Sequence, residues 1–364
     1  MRKLIFVLIT LLLTCVLDTS AQYSRVDFNE GENGYVILKD KDGTPTDEVR
    51  LVGPEWEGVS EYKYRGGEDV PDVVTHNGKT YKVVEFGYFY DSYRFLRCLK
   101  FGRNMRKVNI SNMNSSFFLE SGFEVSEENK HLKAIDNILY TADGKTLLNC
   151  ATGFNPANLY YPLSTSNVIT IPDDVEIIGP QAFSNSYNII ITKLPKSLKE
   201  IGEEAFCFFK NMPEELEIPK GVTKIGPEAF CATSIRKLTL PSTLEEFGSL
   251  GTMLKLDSLI CMAPTPPTAT ASYISPEDNY PRWFEWYDYY QNAVLIVPQG
   301  SEELYRQHRE WGLFKNIVGM SPTGIVSLTD DHKKDDKIYR LDGTPVLNPK
   351  SGIYIKNGKK MMIR

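Results

Sequence analysis

Apolar and polar positions between residues 169 and 250 follow one repeated rhythm. Ile171-Pro-Asp-Asp-Val-Glu-Ile-Ile-Gly-Pro-Gln-Ala-Phe183 recurs as Leu194-Pro-Lys-Ser-Leu-Lys-Glu-Ile-Gly-Glu-Glu-Ala-Phe206 and as Ile218-Pro-Lys-Gly-Val-Thr-Lys-Ile-Gly-Pro-Glu-Ala-Phe230. A fourth copy, Leu240-Pro-Ser-Thr-Leu-Glu-Glu-Phe-Gly248, lacks the Ala-Phe ending. Prolines at 172, 195, 219 and 241 set periods of 23, 24 and 22 residues. Apolar residues alternate just before proline: Ile169 and Ile171, Leu216 and Ile218, Leu238 and Leu240. Period two predicts a strand with one buried face.

The other positions have physical roles too. Proline lacks an N–H and ends the strand ladder. Glycine allows a tight bend. Pro180 and Pro227 suit the first position of a short helical turn. Alanine permits close approach, and Phe183, Phe206 and Phe230 fill the space between the two sides of a coil. One coil cannot bury these faces alone, but coils stacked through strands about 4.8 Å apart can. The period lies in the leucine-rich-repeat range. The predicted fold is an α/β leucine-rich-repeat solenoid, β-dominated, with parallel strands, short helical turns and small β-hairpin segments at both ends.

The strand phase also predicts an outward row. Thr170, Lys193, Glu217 and Thr239 lie two residues before each proline; Val168, Ile191, Glu215 and Lys237 lie four before. Lys193 should then neighbour Glu217, and Glu215 should neighbour Lys237. Charge pairing between coils accounts for this row, and Thr170, Lys193, Glu217 and Thr239 are also candidate binding residues.

These motifs resemble the BspA-like leucine-rich repeats of surface and secreted Bacteroidetes proteins. The likeness extends outward. Asn77-Gly-Lys-Thr-Tyr-Lys-Val-Val84 looks like a lead-in. Lys133 to Tyr140 and Asp143 to Leu147 look like an inserted hairpin. Ala263 to Pro267, Leu295 to Pro298 and Trp311 to Val318 look like the segment that closes the array. The resemblance implies adhesion or recognition outside the cell, with an extracellular or host protein, a matrix component or a glycan as partner. It implies no fixed ligand, catalytic residue or cofactor. Residues 338–364 are similar to short C-terminal modules of exported Bacteroidetes proteins, and Asp342-Gly343 and Asn357-Gly358 predict hairpin turns. The expected organisation is a signal peptide at 1–21, an N-terminal β segment at 22–80 and a solenoid at 81–262. An aromatic cap at 263–320, a charged linker at 321–337 and a β-hairpin module at 338–364 follow.

The segment Tyr280 to Tyr290 is dense in aromatics. Trp283, Trp286, Tyr287 and Tyr290 share one helical face, which suits a cap over the last coil. Phe284 and Tyr289 then point elsewhere. All six residues are candidates for an aromatic contact with a protein or sugar.

Composition narrows the function. The chain has 364 residues and net charge −6, a poor balance for nucleic-acid binding. Arg2 and Lys3 precede the apolar run Leu4–Leu17, and Thr19-Ser20-Ala21 offers a cleavage site before Gln22. Lipid attachment at Cys15 is the less favoured route. No later run is long enough to span a bilayer, so export to the periplasm, cell surface or medium is expected. Cys98, Cys150, Cys207, Cys231 and Cys261 form no C-x-x-C motif, which gives no reason to expect a metal. Cys207 and Cys231 occupy equivalent positions about 5 Å apart, within disulfide reach. Side chains in a stack point the same way, so a reduced, buried pair is expected. No nucleophile elbow, P-loop, dinucleotide fingerprint or zinc-protease motif occurs, so no enzyme is expected. His76, His131, His308 and His332 are scattered, Asp173-Asp174 falls in a repeat turn, and Asp40 to Gly43 reads as a hairpin turn rather than a calcium loop.

Overall fold

The structure is a computed structural model. It describes residues 26–31, 33–53, 63–65, 68–87, 94–96, 98–109, 117–119, 122–136, 138–150, 167–186, 189–251, 253, 255–269 and 289–320. Strand residues 338–339, 345–346, 352–356 and 359–363 complete the set. The expected signal peptide, the Cys15 site and the 321–337 linker lie outside the described residues.

Near the N-terminus, Phe28–Glu30, Asn33–Lys39 and Pro45–Gly53 form an antiparallel meander. The Asp40 carboxylate accepts from the Asp42 and Thr44 N–H groups at 3.0 and 2.9 Å, and Gly43 takes φ +82°, which closes the expected turn. Pro45–Gly53 then runs parallel to Lys79–Gly87, which pairs onward with Lys107–Asn109. Phe28, Tyr35, Val49, Leu51, Phe86 and Phe101 build the core here.

From there the chain winds as stacked coils around one long core. On one side, Glu215–Glu217, Lys237–Leu240, Ser258–Cys261, Val294–Pro298 and Asn316–Met320 form a five-stranded parallel sheet. Asn167–Ile169 and Ile189–Ile191 pair on the same side of earlier coils. On a second side, the two-residue strands Ile177–Ile178, Glu200–Ile201, Lys224–Ile225, Glu246–Phe247 and Thr268–Ala269 stack in parallel. The meander Leu132–Ile135, Ile138–Thr141 and Thr146–Cys150 extends that sheet to eight strands.

The third side departs from expectation. It carries a ridge of turns instead of a closed helical turn. Gln181, Asn185, Glu204, Phe208, Glu228 and Ala232 all take positive φ. This alternation aims every second N–H at the next coil. Gln181, Phe183 and Asn185 donate to the carbonyls of Glu203, Ala205 and Cys207 at 2.8 to 2.9 Å. Glu204, Phe206 and Phe208 donate to Pro227, Ala229 and Cys231 at 2.8 to 2.9 Å. The intervening N–H groups close local turns, as Ser184 does on Gln181 at 3.1 Å. The repeat glycines also differ in role from the expected bend: a Cβ on Gly202 or Gly226 would meet the preceding coil's backbone at 2.5 Å. They are glycines because coils approach closely.

Inside the ridge, Phe183, Phe206 and Phe230 stack with centroids 5.2 and 5.5 Å apart and rings within 3° of parallel. Phe209 meets the first two edge-on. Beyond Cys261, Val294–Pro298 and Asn316–Met320 add strands to the sheet, and helix Glu302–Gln307 connects them. The Trp311 indole N–H donates to the Pro267 carbonyl at 3.0 Å, and the buried Tyr305 hydroxyl donates to the Ala263 carbonyl at 2.8 Å. The four C-terminal strands pair antiparallel in a small separate sheet.

Two expectations are corrected. Ile191 is 5% exposed and faces the core. The second coil carries an extra residue, because Thr192 and Lys193 both lie outside between Ile191 and Leu194. Val168 therefore pairs with Ile190, not Ile191. Cys207 and Cys231 are joined by a disulfide, their Cα atoms 4.6 Å apart. The two positions are equivalent, each just before a left-handed residue, and at this Cα spacing, inside the usual disulfide range, parallel departure of the side chains does not prevent the bond.

Phe206→Ala should cost about 3–5 kcal/mol, read from the urea midpoint, because it opens the middle of the ring column. Cys207→Ser with Cys231→Ser should cost about 3 kcal/mol, the disulfide closing a separation of 24 residues.

Candidate binding surfaces

The side chains sort by face. On the five-stranded sheet the outward rows are set by register. Glu215, Lys237, Ser258, Val294 and Asn316 lie in one row; Glu217, Thr239, Ile260, Ile296 and Val318 lie in the next, Ile296 itself buried. Lys237 Nζ meets Glu215 Oε2 at 3.1 Å, the expected pair. Lys193 meets Asp173 at 3.5 Å rather than Glu217, because the extra residue carries Lys193 past the strand end. Thr170 and Glu217 are exposed, and Thr239 is half-buried between Glu217 and Ile260. The face changes character along the array, from charged at Glu215 and Lys237 to half-exposed and apolar at Ile260, Val294, Val318 and Met320.

The eight-stranded side is a charge ladder. Glu176 receives Lys199 at 2.7 Å and Lys145 at 3.2 Å. Those two ammonium groups hold its carboxyl below the usual range, the Lys199 hydrogen bond most of all. Lys224 lies 3.3 Å from Glu200 and 4.0 Å from Glu246. Exposed pairs of this kind contribute little singly, but together they leave this side internally satisfied.

The candidate aromatics separate. Trp283, Phe284, Trp286 and Tyr287 lie outside the described residues. Tyr289 and Tyr290 open the helix Tyr289–Asn292, their rings 4.4 Å apart. Tyr289 is 3% exposed, so the expectation that it points outward is corrected: it faces the array core as the chain enters strand Val294–Pro298. Tyr290 meets Phe314 edge-on at 4.9 Å. Both rings help close the array.

Sequence reasoning missed Phe208. It is 52% exposed and takes φ +58°, a region that disfavours bulky side chains. Asn185 and Ala232 hold the equivalent place in neighbouring coils. The available signal was a phenylalanine in a slot that other copies fill with small or polar residues.

Conventional chemistry is sparse. Among the described residues no cluster of three metal-ligating side chains occurs, and no helix is long and apolar enough to cross a membrane. His76 pairs with Glu30 at 2.7 Å. His308 Nδ1 accepts the Glu310 N–H at 3.2 Å, and burial pushes its pKa down.

A family model described as BspA type leucine rich repeat region matches residues 156–251 in six copies. Residues 156–251 carry BspA-type leucine-rich repeats. No curated protein matches the chain. Among solved structures it is similar to a leucine-rich repeat protein from Eubacterium ventriosum, at 19% identity and TM-score 0.40, covering 54% of this chain and 48% of that one. The chain thus spans about half the length of that protein. It is also similar to the pneumococcal vaccine antigen PcpA, at 10% identity and TM-score 0.36, covering 81% and 98%. A leucine-rich repeat protein from Bacteroides ovatus matches at 15% identity and TM-score 0.32, covering 74% and 71%. Leucine-rich-repeat arrays are generally interaction scaffolds rather than catalysts, and their stacked coils supply long rigid surfaces.

On the ridge of this leucine-rich-repeat array, Glu204 and Glu228 sit in equivalent positions of adjacent coils. Burial raises the pKa of both. The Gln181 amide donates to Glu204 at 2.9 Å and partly offsets this, whereas Glu204 and Glu203 push Glu228 further up. The ionised form of Glu228 therefore costs stability. The cost is absent below the ordinary carboxylate range, grows as pH rises through the raised value, and is complete above it. Glu228→Gln should raise the melting temperature near about pH 7 and leave it unchanged near about pH 3.

Proposed function

We propose that the chain is an exported binding protein of the cell envelope or surface, whose rigid solenoid face engages an extracellular or host protein, a matrix component or a glycan. Phe208 carries this reading. A half-exposed aromatic ring in a disfavoured backbone region lowers stability, and its neighbours show that Asn or Ala fits the same place. Strain kept at an exposed aromatic fits an anchor for a partner. The ridge beneath it is rigid, since the Cys207–Cys231 disulfide adjoins it and its N–H donates to Cys231.

Export is supported by Arg2 and Lys3 followed by the apolar run Leu4–Leu17, and by the disulfide, which suits an oxidising compartment. Cleavage before Gln22 is preferred to lipid attachment at Cys15. A second reading, a structural envelope spacer, draws on the charge ladder from Lys145 to Glu246, which leaves one side with little to offer a partner. A glycan-binding accessory subunit is a third role open to the aromatics of Tyr280 to Tyr290.

The test is an array of extracellular proteins and glycans probed with the purified chain and with Phe208→Asn. The variant should melt at the same temperature or higher and lose at least about tenfold in affinity for whatever the native chain retains. Full retention of binding by the variant would remove Phe208 as the anchor. A folded native chain that retains nothing would favour the spacer.

A further inference from the structure

The turn that closes the array is built on one imidazole. The fourth copy lacks Ala-Phe, and Trp311 closes the join from the cap side. Its ring stacks on Phe247 at 5.2 Å, meets Tyr305 edge-on at 5.4 Å and donates its N–H to the Pro267 carbonyl at 3.0 Å. Its backbone is held by His308. The His308 N–H ends helix Glu302–Gln307 on the Tyr305 carbonyl at 3.2 Å, and the His308 carbonyl accepts the Gly312 N–H at 2.8 Å. The ring Nδ1 accepts the Glu310 N–H at 3.2 Å and the Trp311 N–H at 3.5 Å. Those two N–H groups start the short helical turn Trp311–Leu313, where the turn itself offers them no acceptor. Glu310 does not cap the turn with its own side chain, so the imidazole is the cap. The turn has no room to move toward the helix, since a Cβ on Gly312 would collide with the Arg306 carbonyl.

Both partners of Nδ1 are backbone donors, so Nδ1 must offer a lone pair and the ring proton sits on Nε2. Protonation of Nδ1 removes the acceptor and points a third N–H at the first two. The ring then has to leave, and both backbone groups lose their partner. Burial disfavours the charged ring and is the larger effect, while the Glu310 carboxylate opposes it. Other charges on the helix and turn are engaged elsewhere or exposed. Arg306 donates to the Ile317 carbonyl at 2.9 Å and lies 3.8 Å from Glu303. Glu302 accepts the Gly300 N–H at 2.6 Å, and Arg309 and Lys315 are exposed. Phe247 and Pro267 bring no charge from the array side. The ring pKa therefore lies below the ordinary histidine value. The stability that the neutral ring contributes is complete above the ordinary histidine range and is lost as pH falls from there through the lowered value.

We infer that His308 is an acid-sensitive latch: protonation of its ring frees the turn that carries Trp311 and loosens the cap from the last coil. Trp311 joins the helix, through Tyr305, to the array, through Phe247 and Pro267. Freeing its backbone loosens both contacts at once. The latch acts at the C-terminal end of the solenoid and is independent of Phe208 and of any partner. Acid has the opposite effect on the ridge, where protonation relieves Glu228.

The test is amide hydrogen exchange of the full chain, read residue by residue by NMR at about pH 7 and about pH 5, each rate divided by the unfolded-chain rate at that pH. Protection at Glu310 and Trp311 should fall by at least about threefold on acidification, relative to Phe206 on the ridge. His308→Asn sets a non-titrating amide oxygen near the place of Nδ1. It should keep the protection seen at neutral pH and lose its pH dependence. His308→Ala should lose that protection at both pH values. The ring nitrogen shifts of native His308 should place the proton on Nε2 at neutral pH, a reading that needs no variant. A proton on Nδ1, unchanged protection in the native chain, or an equal fall in His308→Asn would each overturn the latch.

Discussion

Every other feature of the array depends on the backbone hydrogen bonds between coils. A single coil pairs only the peptide groups that close its local turns, and buried peptide groups must be paired. Here the neighbouring coil pairs them on all three sides. Lys199 and Gly202 donate to Glu176 and Ile178 on one side, Ile218 donates to Thr239 on another, and Gln181, Phe183 and Asn185 donate across the ridge. The ladder fixes the coil spacing, and the 5.2 and 5.5 Å steps of the phenylalanine column follow it. It also explains why the backbone is left-handed at Phe208, Glu204 and Glu228. Each such residue costs about 1 kcal/mol or more, and the inter-coil bond it makes possible offsets that cost.

The repeat, its period and its buried residues were legible in the sequence because each carries a local signal: alternation before proline and phenylalanine at the centre, whereas the repeat glycines were expected at a bend and mark a close approach instead. The ridge was not legible. Short turns and an alternating ridge place the same Ala and Phe inside, and only the direction of the N–H groups separates them. The Cys207–Cys231 bond was misjudged because side-chain direction was weighed above the Cα spacing. The misplacement of Ile191 and Lys193 came from taking proline as the frame for every coil. In the second coil one extra residue lies between strand and proline, and a one-residue slip exchanges inside and outside. Phe208 escaped notice because its meaning comes from its exposure, which no local pattern reports.

A repeat whose faces all satisfy themselves offers a partner little. The side running from Lys145 to Glu246 approaches that state, with cations and carboxylates alternating coil by coil. Capacity for recognition then concentrates where the repeat is broken. Phe208 is one break, an aromatic in a slot filled elsewhere by Asn185 and Ala232. The apolar drift from Lys237 to Val294 along the outer sheet is another, since the strands there come from the cap rather than from the repeated unit. Residues that contribute least to the stacking are thus the ones free to be specialised.

The join between array and cap extends this argument. A periodic column can be filled by one residue type only while the period lasts. The column ends at Phe230, and Phe247, which follows Ile225 in the row of short strands, meets Trp311, a larger ring anchored from outside by Pro267. Two packing systems of different shape meet there, so a complete fit would need side chains matched to both. Glu310 and Ser249 are the residues least suited to filling such a gap with apolar contact, yet both line it. Leu250 and Ala269 supply aliphatic contact in the same space. Rings, aliphatic side chains and two polar residues therefore share one join, because the packing constraint is relaxed where the period ends.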